Sequence, residues 1–197
     1  MADFGTAPNR YHDRRFNIEA IKILPGEYYV TGRNVLIVTV LGSCVSVCLY
    51  DKVARIGGMN HFMLPDHHEG GVLSESARYG AYAMEILINN LIKAGASRNR
   101  LEAKVFGAGR VLSGMTHTDV GARNAAFAMH YLDDEKIRVT ANDLLGIYPR
   151  KVYFFATEGR VLIKKIKDLH NDTIAQRERE YEAMLEKVKV EGSVDLF

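Results

Sequence analysis

The sequence predicts a layered α/β domain of the α+β kind, and three observations lead there. Short β-branched and aromatic runs punctuated by turn residues fill the first third of the chain. Two or three later stretches place apolar residues at helical spacing. The 197 residues are 47% hydrophobic and 25% charged, with 17 Gly and 4 Pro, which is ordinary globular composition and enough chain for one core.

Taken in order, residues 1–16 are polar, carry Arg10, Arg14 and Arg15, and have no apolar run behind them. They read as a flexible N-terminal arm, neither a signal peptide nor an anchor. Strand-like runs follow at 21–24, 28–30, 35–40, 45–50 and 56–64, with turns at Pro25-Gly26 and Gly32. Residues 65–71 form a loop by composition. Ser74 is a plausible N-cap for a helix whose Ala77, Ala81, Met84, Leu87, Ile88, Leu91 and Ile92 make one apolar stripe, and Gly95 is its natural stop. A strand over 101–106 runs into Gly107-Ala108-Gly109, a tight bend rather than a phosphate cradle, because neither a nucleotide-fold glycine fingerprint nor a Walker lysine accompanies it. A second helix spans about 120–132, a strand 137–141, and a hairpin joins 152–156 to 161–166. From Asp172 a final helix aligns Ile174, Tyr181, Met184, Leu185 and Val188, a stripe that reads as a packed or solvated C-terminal element rather than a docking helix. The expected division is therefore an arm (1–16), one domain (17–170) and a C-terminal amphipathic helix with its tail (171–197).

A net charge of +2 and a pI near 8.5, without a Lys/Arg block, argue against a nucleic-acid surface. The apolar runs are far too short to span a bilayer, so a cytoplasmic protein without membrane insertion is expected.

The two cysteines, Cys44 and Cys48, lie four residues apart. On a strand their Cα atoms would be roughly 13 Å apart, well beyond the ~7 Å limit for a disulfide. Cys44 follows Thr39-Val40-Leu41-Gly42-Ser43, where a tight turn interrupts two β-branched runs. Such a turn can present a thiol, and its backbone N–H groups can stabilise an oxyanion; the competing reading is a small buried apolar residue. A nucleophilic cysteine needs a base, since the thiolate is the attacking species. Of the 7 histidines, His61 in Met59-Asn60-His61-Phe62-Met63-Leu64-Pro65 has strand-like neighbours and would lie beside Cys44 if the two runs pair, although a satisfied core histidine competes with that role. The group orienting its imidazole is open among Thr39, Ser43 and a main-chain carbonyl. Zinc is the rival chemistry, with Cys44, Cys48, His61, His67 and His68 as conceivable ligands. The Cys-x3-Cys spacing and the missing second cysteine pair disfavour it, so neither metal nor cofactor is expected.

Leu41-Gly42-Ser43-Cys44-Val45, followed by His61-Phe62-Met63-Leu64-Pro65, resembles the chemoreceptor glutamine deamidase family, CheD. The likeness extends through Pro25-Gly26-Glu27-Tyr28, Lys104-Val105-Phe106-Gly107-Ala108-Gly109, Val120-Gly121-Ala122-Arg123-Asn124, Pro149-Arg150-Lys151-Val152 and Thr157-x-Gly159-Arg160-Val161. It implies a three-layer sandwich of mixed β-sheets with flanking helices around a toxin-deamidase-like Cys-His core. It also implies a protein-glutamine glutaminase that converts glutamines of methyl-accepting chemotaxis receptors to glutamate. Cys44 would be the nucleophile, His61 the base and Thr39 the third member; position 38 is Val, so Thr39 is the hydroxyl available at the family's spacing. A loop at Asp143-Leu144-Leu145-Gly146 replaces the family's glycine pair. A CheC-like phosphatase is a further partner the family allows, and a regulatory module acting mainly through it is the alternative function.

Overall fold

A computed structural model describes residues 3–7, 9–65, 75–110, 120–167 and 172–185. In chain order its strands are β1 (Phe4–Gly5), β2 (Asn9–Asp13), β3 (Ile18–Lys22), β4 (Tyr28–Thr31), β5 (Leu36–Leu41), β6 (Val45–Asp51) and β7 (Ile56–Asn60). The helix α1 (Glu75–Lys93), β8 (Leu101–Gly107), α2 (Val120–Asp134) and β9 (Arg138–Leu144) follow. A hairpin of β10 (Arg150–Phe155) and β11 (Arg160–Lys165) precedes α3 (Asp172–Leu185).

The strands form two mixed sheets, one ordered β1-β4-β7-β6-β8-β9 and the other β11-β10-β5-β3-β2. The first is antiparallel except at β8–β9, where α2 supplies the crossover that a parallel pair requires. The second is antiparallel except at β3–β5. Alternation along β6 builds the layers. Val45, Val47 and Leu49 face Met84, Leu87, Ile88 and Leu91 of α1 and Ala125, Ala128 and Leu132 of α2. Cys44, Cys48, Met59 and Met63 face the opposite way, onto Ile21, Ile37, Leu41, Val152 and Phe154 of the second sheet. The result is the expected three-layer sandwich, in the order helices, sheet, sheet.

Within the segment expected to be a flexible arm, 1–16, the described residues 3–7 and 9–16 join the sheets: β1 pairs with β4 and β2 with β3. The sequence signal was missing because β2 is an edge strand with four of its five side chains exposed, so it carries no alternating apolar pattern. Polar contacts hold the segment instead. Asp3 accepts hydrogen bonds from Tyr29 and Thr31 at 2.8 and 2.6 Å and pairs with Arg33 at 2.9 Å, and Arg10 pairs with Glu19 at 2.9 Å. Phe16 closes the outer face of the second sheet edge-on to Tyr153 and Phe155.

The predicted helices and hairpin occur close to their expected bounds, with Gly95 at φ +110 where α1 has ended. Ile92 and Met184 are exposed rather than core-facing. Ser74, residues 66–71 with His67 and His68, and Val188 lie outside the described residues, and nothing is described of the Ile174 side chain. The Asp143 loop is organised by Arg150, whose buried guanidinium donates to the Asp143 carboxylate at 2.8 Å and to the main-chain carbonyls of Asp143 and Leu145.

Candidate active site

Three elements bring Thr39, Cys44 and His61 together at the seam between the sheets. β5 points Thr39 inward, whereas Val38 turns outward into the cluster with Tyr153 and Phe155. The chain then leaves the second sheet, bends through Gly42 and Ser43, and enters the first sheet as β6. Val45 and Phe62 exchange backbone hydrogen bonds of 2.9 Å each. Cys44 and His61, each one residue before the bridged pair, therefore share the inter-sheet face as diagonal neighbours. The Pro25-Gly26 turn holds the histidine backbone: Gly26 N–H donates to the His61 carbonyl at 2.7 Å, and His61 N–H to Glu27 at 2.9 Å.

The imidazole is oriented by a chain of two hydrogen bonds. Thr39 Oγ1 donates its single proton to the Ile23 carbonyl at 2.9 Å, so at 2.8 Å from His61 Nδ1 it acts as acceptor. Nδ1 then carries the ring proton and Nε2 is the basic nitrogen. That Nε2 is buried without a hydrogen-bond partner among the described residues. Burial pushes the imidazole pKa down to about 3, so the ring is neutral at physiological pH. A cavity of about 30 Å³, room for roughly one water, lies between Thr39 and His61 on one side and Arg177 and Glu178 of α3 on the other. Of the three orienting groups the sequence left open, Thr39 touches the ring, a main-chain carbonyl orders Thr39, and Ser43 points elsewhere.

The Gly42–Cys44 bend forms an anion cradle, and α3 fills it. Glu178 Oε1 accepts from the N–H groups of Gly42 and Cys44 at 3.0 and 3.2 Å; Oε2 accepts from the Ser43 N–H at 3.0 Å and from Ser43 Oγ at 2.8 Å. Three successive backbone donors thus converge on one carboxylate that is only 3% exposed. Tyr181, one turn further along α3, hydrogen-bonds the Tyr79 hydroxyl, and a Cβ on Gly26 would come within 2.8 Å of its oxygen. Burial raises the pKa of both tyrosines, and each is raised further by the nearby Cys44. Cys44 itself is fully buried.

The bend is shaped from behind. Ala108 N–H donates to the Cys44 carbonyl and Gly109 N–H to the Gly42 carbonyl, both at 2.7 Å. Gly107 stands at φ +117, and a Cβ there would meet the Cys44 carbonyl oxygen at 2.2 Å, so only glycine fits. Asn124 on α2 donates Nδ2 to the Ser43 carbonyl at 3.0 Å and accepts from the Leu64 N–H at 2.9 Å, tying the cysteine turn to the histidine segment. The roles of Asn124 and Glu178 escaped the sequence reading. Their shared signal was a polar residue on an otherwise apolar helical face: Asn124 among Val120, Ala125 and Ala128, and Glu178 three and seven residues before Tyr181 and Leu185. Cys48 is set apart: neither cysteine is in a disulfide, and burial drives the Cys48 thiol pKa far above its ordinary value against a small opposing effect of Lys104. Among the described residues no three His, Cys, Asp or Glu side chains converge as a metal site would require.

Fold and geometry together describe a three-layer α/β/β protein with a cysteine, a histidine and a threonine gathered beside a backbone anion cradle. Residues 63–165 match the family model described as CheD chemotactic sensory transduction. The chain is 59% identical over 194 residues to the probable chemoreceptor glutamine deamidase CheD of Methylobacillus flagellatus, covering 97% of this chain and 96% of that protein. It is likewise 59% identical over 193 residues to the protein of that name from Thiobacillus denitrificans, covering 97% and 96%. With the probable chemoreceptor glutamine deamidase CheD 1 of Shewanella oneidensis it shares 57% over 192 residues, covering 96% and 93%. The chain belongs to the CheD family.

Proposed function

We propose that this protein is a protein-glutamine glutaminase that deamidates glutamines on the cytoplasmic part of methyl-accepting chemotaxis receptors, with Cys44 as nucleophile, His61 as base and Thr39 as the residue orienting His61. The observation that carries the reading is the cradle beside Cys44, where three consecutive N–H groups already hold a carboxylate. The same donors suit the oxyanion of a carboxamide under attack, stabilised where water is excluded. The relatives' names supply the substrate class.

In this mechanism His61 Nε2 takes the Cys44 proton as sulfur attacks the glutamine Cδ. The carbonyl electrons move onto oxygen in the cradle. Collapse breaks the C–N bond, and the imidazolium returns its proton to the departing ammonia. Water, deprotonated by the same nitrogen, then adds to the thioester; the C–S bond breaks and glutamate leaves, so glutamine plus water becomes glutamate plus ammonia. Thr39 keeps the ring proton on Nδ1 throughout, so that Nε2 stays available. Each conversion adds one negative charge to the receptor.

The test is incubation with receptor cytoplasmic fragments and peptide mass spectrometry for gains of about 1 Da at glutamine, the mass difference between amide and acid. Cys44→Ala should abolish the gain and Cys48→Ala should keep it. Absence of any gain with both the wild type and a Glu178→Ala variant refutes the assignment.

A further inference from the structure

Among the described residues the reaction site is closed to a substrate side chain, because α3 lies across it. Cys44, His61 and Thr39 are all 3% exposed or less. Beside the buried Tyr181 and Leu185, the helix brings a glutamate, the chemical product that the proposed reaction leaves behind, with its carboxylate in the anion cradle. We propose that α3 is a tethered product mimic: Glu178 occupies the position of the reacted side chain, and the helix must leave before a receptor helix can present its glutamine there. This rests on the deamidase reading.

Four features support it. The carboxylate receives four donors, three of them the backbone N–H groups flanking the nucleophile, which is how a product carboxylate would be held. The side chain arrives from an α-helix, so the site accepts a residue in helical presentation. The seat of α3 is slight: from Gln176 onward, Glu178, Tyr181 and Leu185 are its only described side chains that are buried. Beside it runs an open groove of about 760 Å³, bordered by Arg10, Lys22 and Pro25 on one side and Arg177, Tyr181 and Met184 on the other. A 14-residue helix of this polarity has little stability of its own, so releasing Glu178 should release the helix.

The mimicry predicts a self-reaction. In a full-length Glu178→Gln variant, the carboxamide stands where a substrate's would, and Cys44 should convert it. Position 178 should gain about 1 Da, passing through a thioester about 17 Da lighter than the starting chain, since ammonia is lost before water adds. A Glu178→Gln variant that also carries Cys44→Ala should not change. Independently of any deamidation, iodoacetamide should alkylate Cys44 at least tenfold faster in Glu178→Ala and Glu178→Gln than in the wild type. Cys48, followed in the same digests, should stay unlabelled and report that the sheets remain folded. Cys44 alkylation within twofold of the wild type in both variants overturns the proposal. Faster alkylation with receptor glutamines converted but position 178 unchanged overturns the product mimicry and leaves α3 a simple cover. Faster alkylation with no conversion anywhere overturns the deamidase reading and the product mimicry with it, leaving only the closed site.

Discussion

Lowering the pH from 7 to 4 should cost the folded protein roughly 3 kcal/mol through His61, at about 1.4 kcal/mol per pKa unit. Burial holds this imidazole near pKa 3 in the fold, against an ordinary value of 6.5. Above pH 6.5 neither the folded nor the unfolded chain holds the proton, and the full stability is present. Between 6.5 and 3 the unfolded chain binds one proton more than the folded chain, so stability falls as the pH falls. Below 3 the loss stops, after a total on the order of 4–5 kcal/mol. The cause is desolvation: Nδ1 is bonded to Thr39, and Nε2 is buried with no acceptor among the described residues for a second proton. Urea denaturation at pH 7, 6, 5 and 4, followed by far-UV circular dichroism because the chain has no tryptophan, measures the slope. His61→Gln keeps a donor for Thr39 and cannot titrate, so its stability should vary with pH by that much less. Asp51 does not confuse the comparison. Burial pushes its carboxyl up, but Arg100 and the N–H groups of Ser97, Ala54 and Val53 outweigh this and hold it near 2, so its contribution is lost only below about pH 4. Equal pH dependence of the wild type and His61→Gln between 6.5 and 4 would refute the reasoning.

Thr39→Ala should slow receptor deamidation at least tenfold while costing less than His61→Ala, and Thr39→Ser should restore most of the rate, because only the hydroxyl between His61 Nδ1 and the Ile23 carbonyl is needed. Initial rates by mass spectrometry decide this; equal, complete losses in Thr39→Ala and His61→Ala would raise Thr39 to an indispensable member. Asn124→Ala removes two buried hydrogen bonds and leaves the Ser43 carbonyl and Leu64 N–H unpaired, which should cost about 2–4 kcal/mol in urea denaturation. It should also slow the reaction by loosening the cysteine turn, and a variant as stable and as fast as the wild type would show that Ala108 and Gly109 hold the turn unaided.

Much of the fold was legible because its elements obey local rules. The stripe of Met84, Leu87, Ile88 and Leu91 has helical period, Val45, Val47 and Leu49 have strand period, and the 160s pair back on the 150s across a short turn. Where those rules are silent the reading failed: β1 and β2 are held by backbone pairing and ion pairs, which leave no apolar pattern. Cys44 and His61 could be singled out for the same local reason, as chemistry-bearing residues in strand-like surroundings. Thr39 could be put forward by its spacing, but not chosen over Ser43.

What the sequence determined alone, then, was the class of fold, the nucleophile and base to consider, and the separation of Cys44 from Cys48. Tertiary structure decided the rest, because hydrogen bonds join residues far apart in the chain. Thr39 reaches His61 across 22 positions, Asn124 reaches Ser43 across 81, and Glu178 reaches the cradle from more than 130 residues away. Periodicity records which face of an element is buried. It cannot record which distant donor a buried carboxylate will meet, and that meeting is what closes this site.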